Sequence, residues 1–171
     1  MPAGNTFELI GSTTLASASA TGLEVTGISS AYNDLFVVCE MLNSTSSGIN
    51  MRFNADTGGN YYVDKMKIFG TTTSNQRHQS TRGSTAANIC PDTVSLPTSG
   101  TYFPFFVMTV HNYQDTGVTK VFETIYGNAL GEVDVCHGLW NSSSAVTAIR
   151  VFCDANMQAG SKISVYGMAR A

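Results

Sequence analysis

The stretch "GSKISVYGMARA", residues 160–171, has the alternation of a β-strand with one face turned inward. Ile163 and Val165 alternate with Ser164 and Tyr166, and a Gly-Met pair follows them. A strand followed by so few residues frays unless it is paired within a sheet. The stretch therefore predicts a fold built on sheets, in which neighbouring strands hold this late strand.

The same period of two recurs along most of the chain, with turn-forming sequences such as "NSTSSG", "ADTGGN" and "NYQDTG" between the segments. No helical stretch of convincing length interrupts them. The pattern therefore predicts an all-β sandwich or barrel. The ten expected strands are residues 7–15, 23–28, 34–42, 49–54, 61–69, 101–112, 118–128, 132–140, 146–153 and 161–168.

Residues 70–100 are the longest region without this alternation, and they are rich in Thr, Ser, Gly and Pro. A stretch of about 30 residues exceeds the usual loop of a compact domain. We expect either an extended loop or arm that reaches a neighbour, or one or two irregular edge strands. Because no repeat or linker is visible, residues 1–171 are interpreted as a single domain.

The chain is poor in charge: 12% of its residues are charged, about half the usual ~25% of soluble domains. Its surface must be completed by Ser, Thr, Asn and Gly, as on secreted proteins and on subunits of large assemblies. The net charge of −3 argues against nucleic acid as a partner, since clustered Lys and Arg would be needed to neutralise phosphates. Only "NQRHQSTR", with Arg77, His78 and Arg82, is locally basic.

Membrane insertion and secretion are not expected either. No window reaches the ~18 apolar residues of a membrane-spanning helix. Residues 1–11, "MPAGNTFELIG", have neither the basic nor the apolar region of a signal peptide. We therefore expect synthesis in a cytosol and no contact with a membrane.

The four cysteines are expected to be reduced. Cys39, Cys136 and Cys153 lie in apparent strands, and Cys90 precedes a proline. Free cysteine behaves as a small buried hydrophobe, and a chain without a secretory signal has no oxidising context. Neither Cys-x-x-Cys nor His-x-x-His spacing occurs, so we predict no metal and no cofactor.

The tripeptide Asp56-Thr57-Gly58 is shared with aspartic proteases, but that chemistry requires a second carboxylate sharing one proton. A turn explains the tripeptide as well, because Asp, Gly and Asn favour turn conformations. A calcium site made of Asp56, Asn60 and Asp64 fits no known loop spacing.

The remaining candidates for chemistry are equally weak. Cys136 and His137 are adjacent on a strand, so they point to opposite faces and cannot act as nucleophile and base. No catalytic motif of another kind is present. We predict that the protein is not an enzyme.

Aromatic residues form two groups, Tyr61-Tyr62 and "YFPFF" from Tyr102 to Phe106. Either group could stack on sugars, or it could serve a core face and a contact with another subunit. Pro104 cannot donate to a strand ladder, which predicts that its segment lies at an edge or a bulge. An exposed aromatic edge promotes aggregation unless a partner covers it.

The order "FELIGSTTL … AYNDLFVVCEML … INMRFNADTGGNYY … GLWNSSSAVTAIRVF … AGSKISVYGMA" resembles a diverse group of virion proteins of tailed bacteriophages, cyanophages included. The likeness covers most of the chain except residues 70–100. It consists of strand and turn markers rather than catalytic signatures. It implies a jelly-roll-like antiparallel β-sandwich that serves as a capsid decoration (cement) protein or in a tail fibre or spike, commonly as a trimer.

We therefore expect a virion structural protein, assembled in the cytoplasm of a bacterial host. Its expected partners are sister chains, in a homo-oligomer that is a trimer, and the major capsid protein. The alternative is a tail-fibre or spike head that binds host glycan through Tyr61, Tyr62 or Trp140. The candidate interface residues are Pro2, Thr6, Arg77, His78, Arg82, Tyr102, Phe103, Phe105 and Phe106.

Overall fold

A computed structural model describes residues 7–43, 47–69, 76–90, 105–127 and 132–169, and these contain strands and no helix. Each of the ten expected segments contains a strand. The strands are β1 (Phe7–Thr14), β2 (Leu23–Thr26), β3 (Asp34–Glu40), β4 (Ile49–Phe53), β5 (Tyr61–Phe69), β6 (Gln76–Ser84), β7 (Ala87–Cys90), β8 (Phe105–His111), β9 (Lys120–Gly127), β10 (Glu132–Trp140), β11 (Ala148–Cys153) and β12 (Lys162–Met168).

Eight of these strands pair in the nested order of a jelly roll. β1 pairs with β12, β2 with β11, β3 with β8 and β4 with β7, all antiparallel. The pairs β12–β3 and β11–β4 join them into two sheets. The expected fold class, a jelly-roll-like antiparallel β-sandwich, is confirmed.

The other four strands form two hairpins that enlarge one sheet only. Hairpin β5–β6 follows β4, and hairpin β9–β10 follows β8. They dock side by side and give an eight-stranded sheet in the order β1-β12-β3-β8-β9-β10-β5-β6. The second sheet keeps four strands, in the order β2-β11-β4-β7. The large sheet therefore has much more outward-facing surface than the small one.

The prediction of an extended loop over residues 70–100 is wrong for residues 76–90. These residues form β6 and β7, which are edge strands of the large and the small sheet. The alternative of irregular edge strands is what the structure shows there. The sequence of β6, "QRHQSTRGS", has no alternation because it is polar at nearly every position. Its pairing with β5 is irregular between Tyr61 and Val63. Residues 70–75 and 91–100 lie outside the described residues.

The edge position expected for the segment around Pro104 is wrong for its described part. β8 lies between β3 and β9, in the middle of the large sheet. The described part of its ladder starts at Phe105, and Pro104 itself lies outside the described residues. The two faces of the segment separate as the alternation predicts. Phe105 is 50% exposed, whereas Phe106 is 1% exposed in the core.

The core between the sheets is aromatic at the end where the chain passes from β4 to β5. The Phe53 ring contacts the rings of Tyr61, Phe122 and Trp140 at centroid distances of 5.5–6.5 Å. Phe122 also covers Gly138 on the adjacent strand, where a Cβ atom would lie 2.2 Å from the ring. The close approach requires glycine at that position.

Candidate interaction surface

The outward face of the large sheet carries a row of apolar side chains. The strand register aligns Val38, Val107, Ile125, Val135 and Met66 on β3, β8, β9, β10 and β5. We call these five residues the apolar row. Because same-face residues in register are in contact across strands, the row is continuous over five strands.

Much of the apolar row is open to solvent. Ile125 is 52% exposed, Val135 and Met66 are about 40% exposed, and Val38 and Val107 are half-buried. Phe105 and Val133 lie on the same face in the neighbouring row, where Gly127 separates them. Contiguous exposed apolar surface of this kind marks an interaction site.

An aromatic group continues this surface toward the edge at β1. The Phe7 ring stacks on Tyr166 at 4.7 Å and lies 5.6 Å from Phe36. Leu9, the register partner of Tyr166, is also exposed. Three residues of the apolar row, Val107, Ile125 and Val135, line a shallow depression of about 320 Å³ together with Phe36 and His137. The surface is therefore slightly concave and mainly apolar.

Several charges on this face lie opposite charges of the other sign. Arg82 Nη2 is 3.0 Å from Asp64 Oδ2, while Glu123 Oε1 has the imidazole Nδ1 of His137 as its polar neighbour at 3.6 Å. Glu40 and Lys162 are register partners. Such exposed pairs contribute little stability. They do, however, leave this face without a strong field of one sign.

The size of the face matches a specific protein interface. Neighbouring strands lie about 4.8 Å apart, and same-face residues along a strand lie about 6.7 Å apart. The six strands from β12 to β5, each with about four outward residues, therefore present roughly 800 Å². A standard interface buries about 800 Å² on each partner.

The structure supports some of the expected interface residues and not others. Phe105 and Arg82 are exposed on the large sheet. Phe106 is a core residue, so its assignment to an interface is wrong. Arg77 and His78 lie on β6 opposite Lys67 and Met66, but their side chains are outside the described part. Pro2, Thr6, Tyr102 and Phe103 lie outside the described residues.

Asp56 is the acceptor that holds a turn together, as the turn interpretation predicts. Its Oδ2 accepts hydrogen bonds from Trp140 Nε1 at 2.6 Å and Asn60 Nδ2 at 2.9 Å, and its Oδ1 accepts one from Gly58 N at 2.7 Å. Burial raises the pKa of Asp56, but these hydrogen bonds outweigh it and hold the pKa below its usual value. A carboxylate with three donors is a structural group.

The calcium and sugar sites considered from the sequence do not form. Asn60 directs its amide nitrogen at Asp56, and Asp64 pairs with Arg82 on the outward face. Tyr61 and Trp140 are buried in the core, with Trp140 only 2% exposed. The prediction that glycan stacks on these two rings is therefore wrong. Of the three aromatic residues considered for glycan binding, only Tyr62 is partly exposed.

The cysteines Cys39, Cys136 and Cys153 are free and buried. Burial raises the pKa of each thiol, to about 11 for Cys136 and about 12 for Cys153. Cys136 faces the core while His137 faces solvent, as their adjacency predicts. The described residues contain no group of three or more His, Cys, Asp or Glu side chains that could hold a metal. Nor do they form a helix able to cross a membrane.

Sequence reasoning missed the apolar row although a signal was present. The runs "LFVV" in β3 and "FFVM" in β8 are apolar at consecutive positions. Consecutive apolar residues on a strand indicate that both faces are to be covered.

Comparisons with known proteins add no assignment. No protein-family model matches the chain, and no curated protein matches it. Among solved structures, the chain is similar to the coat protein dimer of Tobacco streak virus, at 7% identity over 100% of this chain and 92% of that one. The TM-score of 0.23 is too low for this likeness to support an argument about fold or function.

Proposed function

We propose that this chain is a non-enzymatic structural protein of a phage virion, a capsid decoration (cement) protein that binds and stabilises the shell of major capsid protein. The observation that carries the proposal is the apolar row, exposed at the centre of a face large enough for a specific interface. The resemblance to virion proteins of tailed phages supports the choice of partner.

The mechanism is contact area. Burying apolar side chains contributes about 25 cal/mol per Å², and a rim of paired charges aligns the partners. We assign the face to a capsid protein surface that is itself flat, apolar and weakly charged, because the Arg82–Asp64 and Glu40–Lys162 pairs leave little net field for a strongly charged partner. Several copies bound to one shell would add avidity.

The groups that suggested chemistry have structural uses instead. Asp56 is hydrogen-bonded within its turn, and Cys136 is a buried thiol whose pKa is raised. The alternative, a tail-fibre head that binds glycan, is weakened because Tyr61 and Trp140, two of its three proposed stacking residues, are buried in the core. Location in the virion and self-association as a trimer remain predictions, which the copy number per particle and analytical ultracentrifugation test.

The test is binding to capsids of the encoding phage assembled without this protein. Ile125→Lys places an unpaired charge at the centre of the face, and we expect at least a tenfold weaker affinity in co-sedimentation. Thr26→Lys, on the exposed face of β2, is the matched control and should bind as the wild type. Circular dichroism checks that both variants are folded.

Equal binding by Ile125→Lys and wild type would contradict the proposal. If wild-type protein instead forms a dimer that Ile125→Lys abolishes, and binds no capsid, the face belongs to a second copy. Deletion of residues 71–100 is unsuitable as a test, because it removes β6 and β7 from the edges of both sheets.

A further inference from the structure

The inward face of hairpins β5–β6 and β9–β10 contains a buried polar cluster. Lys65 and Lys67 on β5 and Asp134 on β10 are each at most 5% exposed. Charged side chains are almost never this buried unless they are paired or engaged. The proposed function makes no use of these groups.

Lys65 reaches from the large sheet to the small one. Its Nζ donates a hydrogen bond to Oδ1 of Asn88, which lies on β7. Asn88 Nδ2 in turn donates to Asn50 Oδ1 at 3.2 Å. The bond to Asn50 fixes the orientation of the amide, so that its carbonyl group faces the amine of Lys65.

A carboxylate lies on the same inward face. The β5–β10 register pairs Lys67 with Asp134 and Lys65 with Cys136, so Asp134 is the diagonal neighbour of Lys65. Diagonal neighbours across an antiparallel pair are about 7 Å apart, within reach of a lysine side chain. The Lys65 amine is thus hydrogen-bonded to an amide carbonyl, and the register places a buried carboxylate within its reach.

We propose that Lys65 and Asn88 condense to form an intramolecular isopeptide bond. Asp134 takes a proton from the Lys65 ammonium group, and the neutral amine attacks Cγ of Asn88. The new Nζ–Cγ bond forms, Nζ passes one of its protons to Nδ2, the Cγ–Nδ2 bond breaks, and the proton held by Asp134 leaves with the departing ammonia. The products are one amide and one ammonium ion, so no further reactant is required.

The bond would join the two sheets covalently. It would connect β5 of the large sheet to β7, the edge strand of the small sheet, and close the chain around β6. A subunit held in this way keeps its inserted hairpin attached to the sandwich when neighbouring molecules pull on it.

Intact-mass spectrometry of the unfolded, purified full-length chain tests the inference. Loss of one ammonia lowers the mass by about 17 Da relative to the sequence. Tryptic digestion should give one branched peptide containing Lys65 and Asn88. The variants Lys65→Met and Asn88→Ala should each show the full mass of their sequence, and Asp134→Asn should form the bond more slowly or not at all.

A neighbouring residue provides a matched control. Lys67→Met keeps both reacting groups and the Asn50 bond that orients Asn88, so this variant should still lose ammonia in at least part of the sample. An unmodified mass for folded wild-type protein would overturn the inference, as would an ammonia loss located at another asparagine without a branched peptide. Neither result bears on capsid binding, so this inference and the proposed function fail independently.

Discussion

The outward faces of the two sheets use their side chains in opposite ways. On the small sheet, polar groups bond to the protein itself: Arg52 Nε donates to Thr85 O at 2.9 Å, and Arg150 Nε donates to Thr21 O at 2.7 Å. On the large sheet, the apolar row has no cover among the described residues. The polar groups of the small sheet are bound within the chain, whereas the apolar row of the large sheet is exposed.

Two arginines on the outward face of the small sheet show how its charged groups are bound within the chain. Arg52 and Arg150 are register partners, so two like charges lie side by side. Both guanidinium groups lie over the Phe152 ring, at 4.7 and 5.3 Å, and Glu24 is opposite Arg150 on the other side. Backbone carbonyls, the ring and the carboxylate together offset the repulsion. Within the part of the chain that the structure describes, no polar group or ring covers the apolar row in this way.

The largest effect should come from comparing the two sides of the large sheet on β8. Phe106→Ala should destabilise the fold by about 3–5 kcal/mol, because it removes a buried ring and leaves a cavity. Phe105→Ala, one residue away on the outward face, should cost less than about 1 kcal/mol. Urea denaturation measures both. Similar losses for the two variants would show that Phe105 is covered within the monomer.

The next effect concerns Trp140, which joins the large sheet to the turn after β4. Trp140→Phe keeps most of the packing but removes the donor to Asp56, and should cost about 1–3 kcal/mol at pH 7, as for hydrogen bonds to charged groups. Because the chain has one tryptophan, unfolding of the variant is followed by far-ultraviolet circular dichroism.

The same variant should change the pH dependence of stability. The pKa of Asp56 is lower in the folded state than its unfolded value of about 3.9, so its contribution is present above that pH and is lost as the pH falls through the folded pKa. Trp140→Phe should therefore lose less stability than the wild type between pH 5 and pH 3. An unchanged slope would show that Trp140 does not hold the Asp56 carboxylate.

The fold was largely predictable because the ten strands recognised from the sequence alternate or are apolar throughout. The sequence "QRHQSTRGS" could not predict β6, since an edge strand in an extension outside the sandwich needs no apolar face. β7 has only four residues, too few for a period to be recognised. The enlarged sheet could not be foreseen because it depends on two hairpins, far apart in sequence, docking side by side.

The candidate surface was less predictable for a related reason. Apolar residues at 38, 66, 107, 125 and 135 form a row only when the register of five strands is known. The sequence also suggests Tyr61 and Trp140 as residues that stack on sugars. The face of the sheet on which each lies depends on the same register, and both are buried.

A smaller effect is expected on the small sheet. Arg150→Ala removes a hydrogen bond to Thr21 O and a cation–π contact, which should cost about 1 kcal/mol, in part offset by relief of the repulsion with Arg52. Thermal denaturation measures the loss, and capsid binding should be unchanged. Weaker binding by folded Arg150→Ala would assign a partner to this face as well and remove the contrast between the sheets.

The smallest effect on stability should come from the apolar row itself. Ile125→Thr keeps a β-branched side chain on an exposed strand position and should change the free energy of unfolding by less than about 0.5 kcal/mol. The solubility of the free protein should rise, because an apolar group at the centre of the patch is replaced by a hydroxyl. Precipitation by ammonium sulfate measures this, with Val25→Thr, a core substitution on β2, as the destabilising control. A large loss of stability in Ile125→Thr would mean that Ile125 packs within the monomer, and the open face would then have to be sought elsewhere on the sheet.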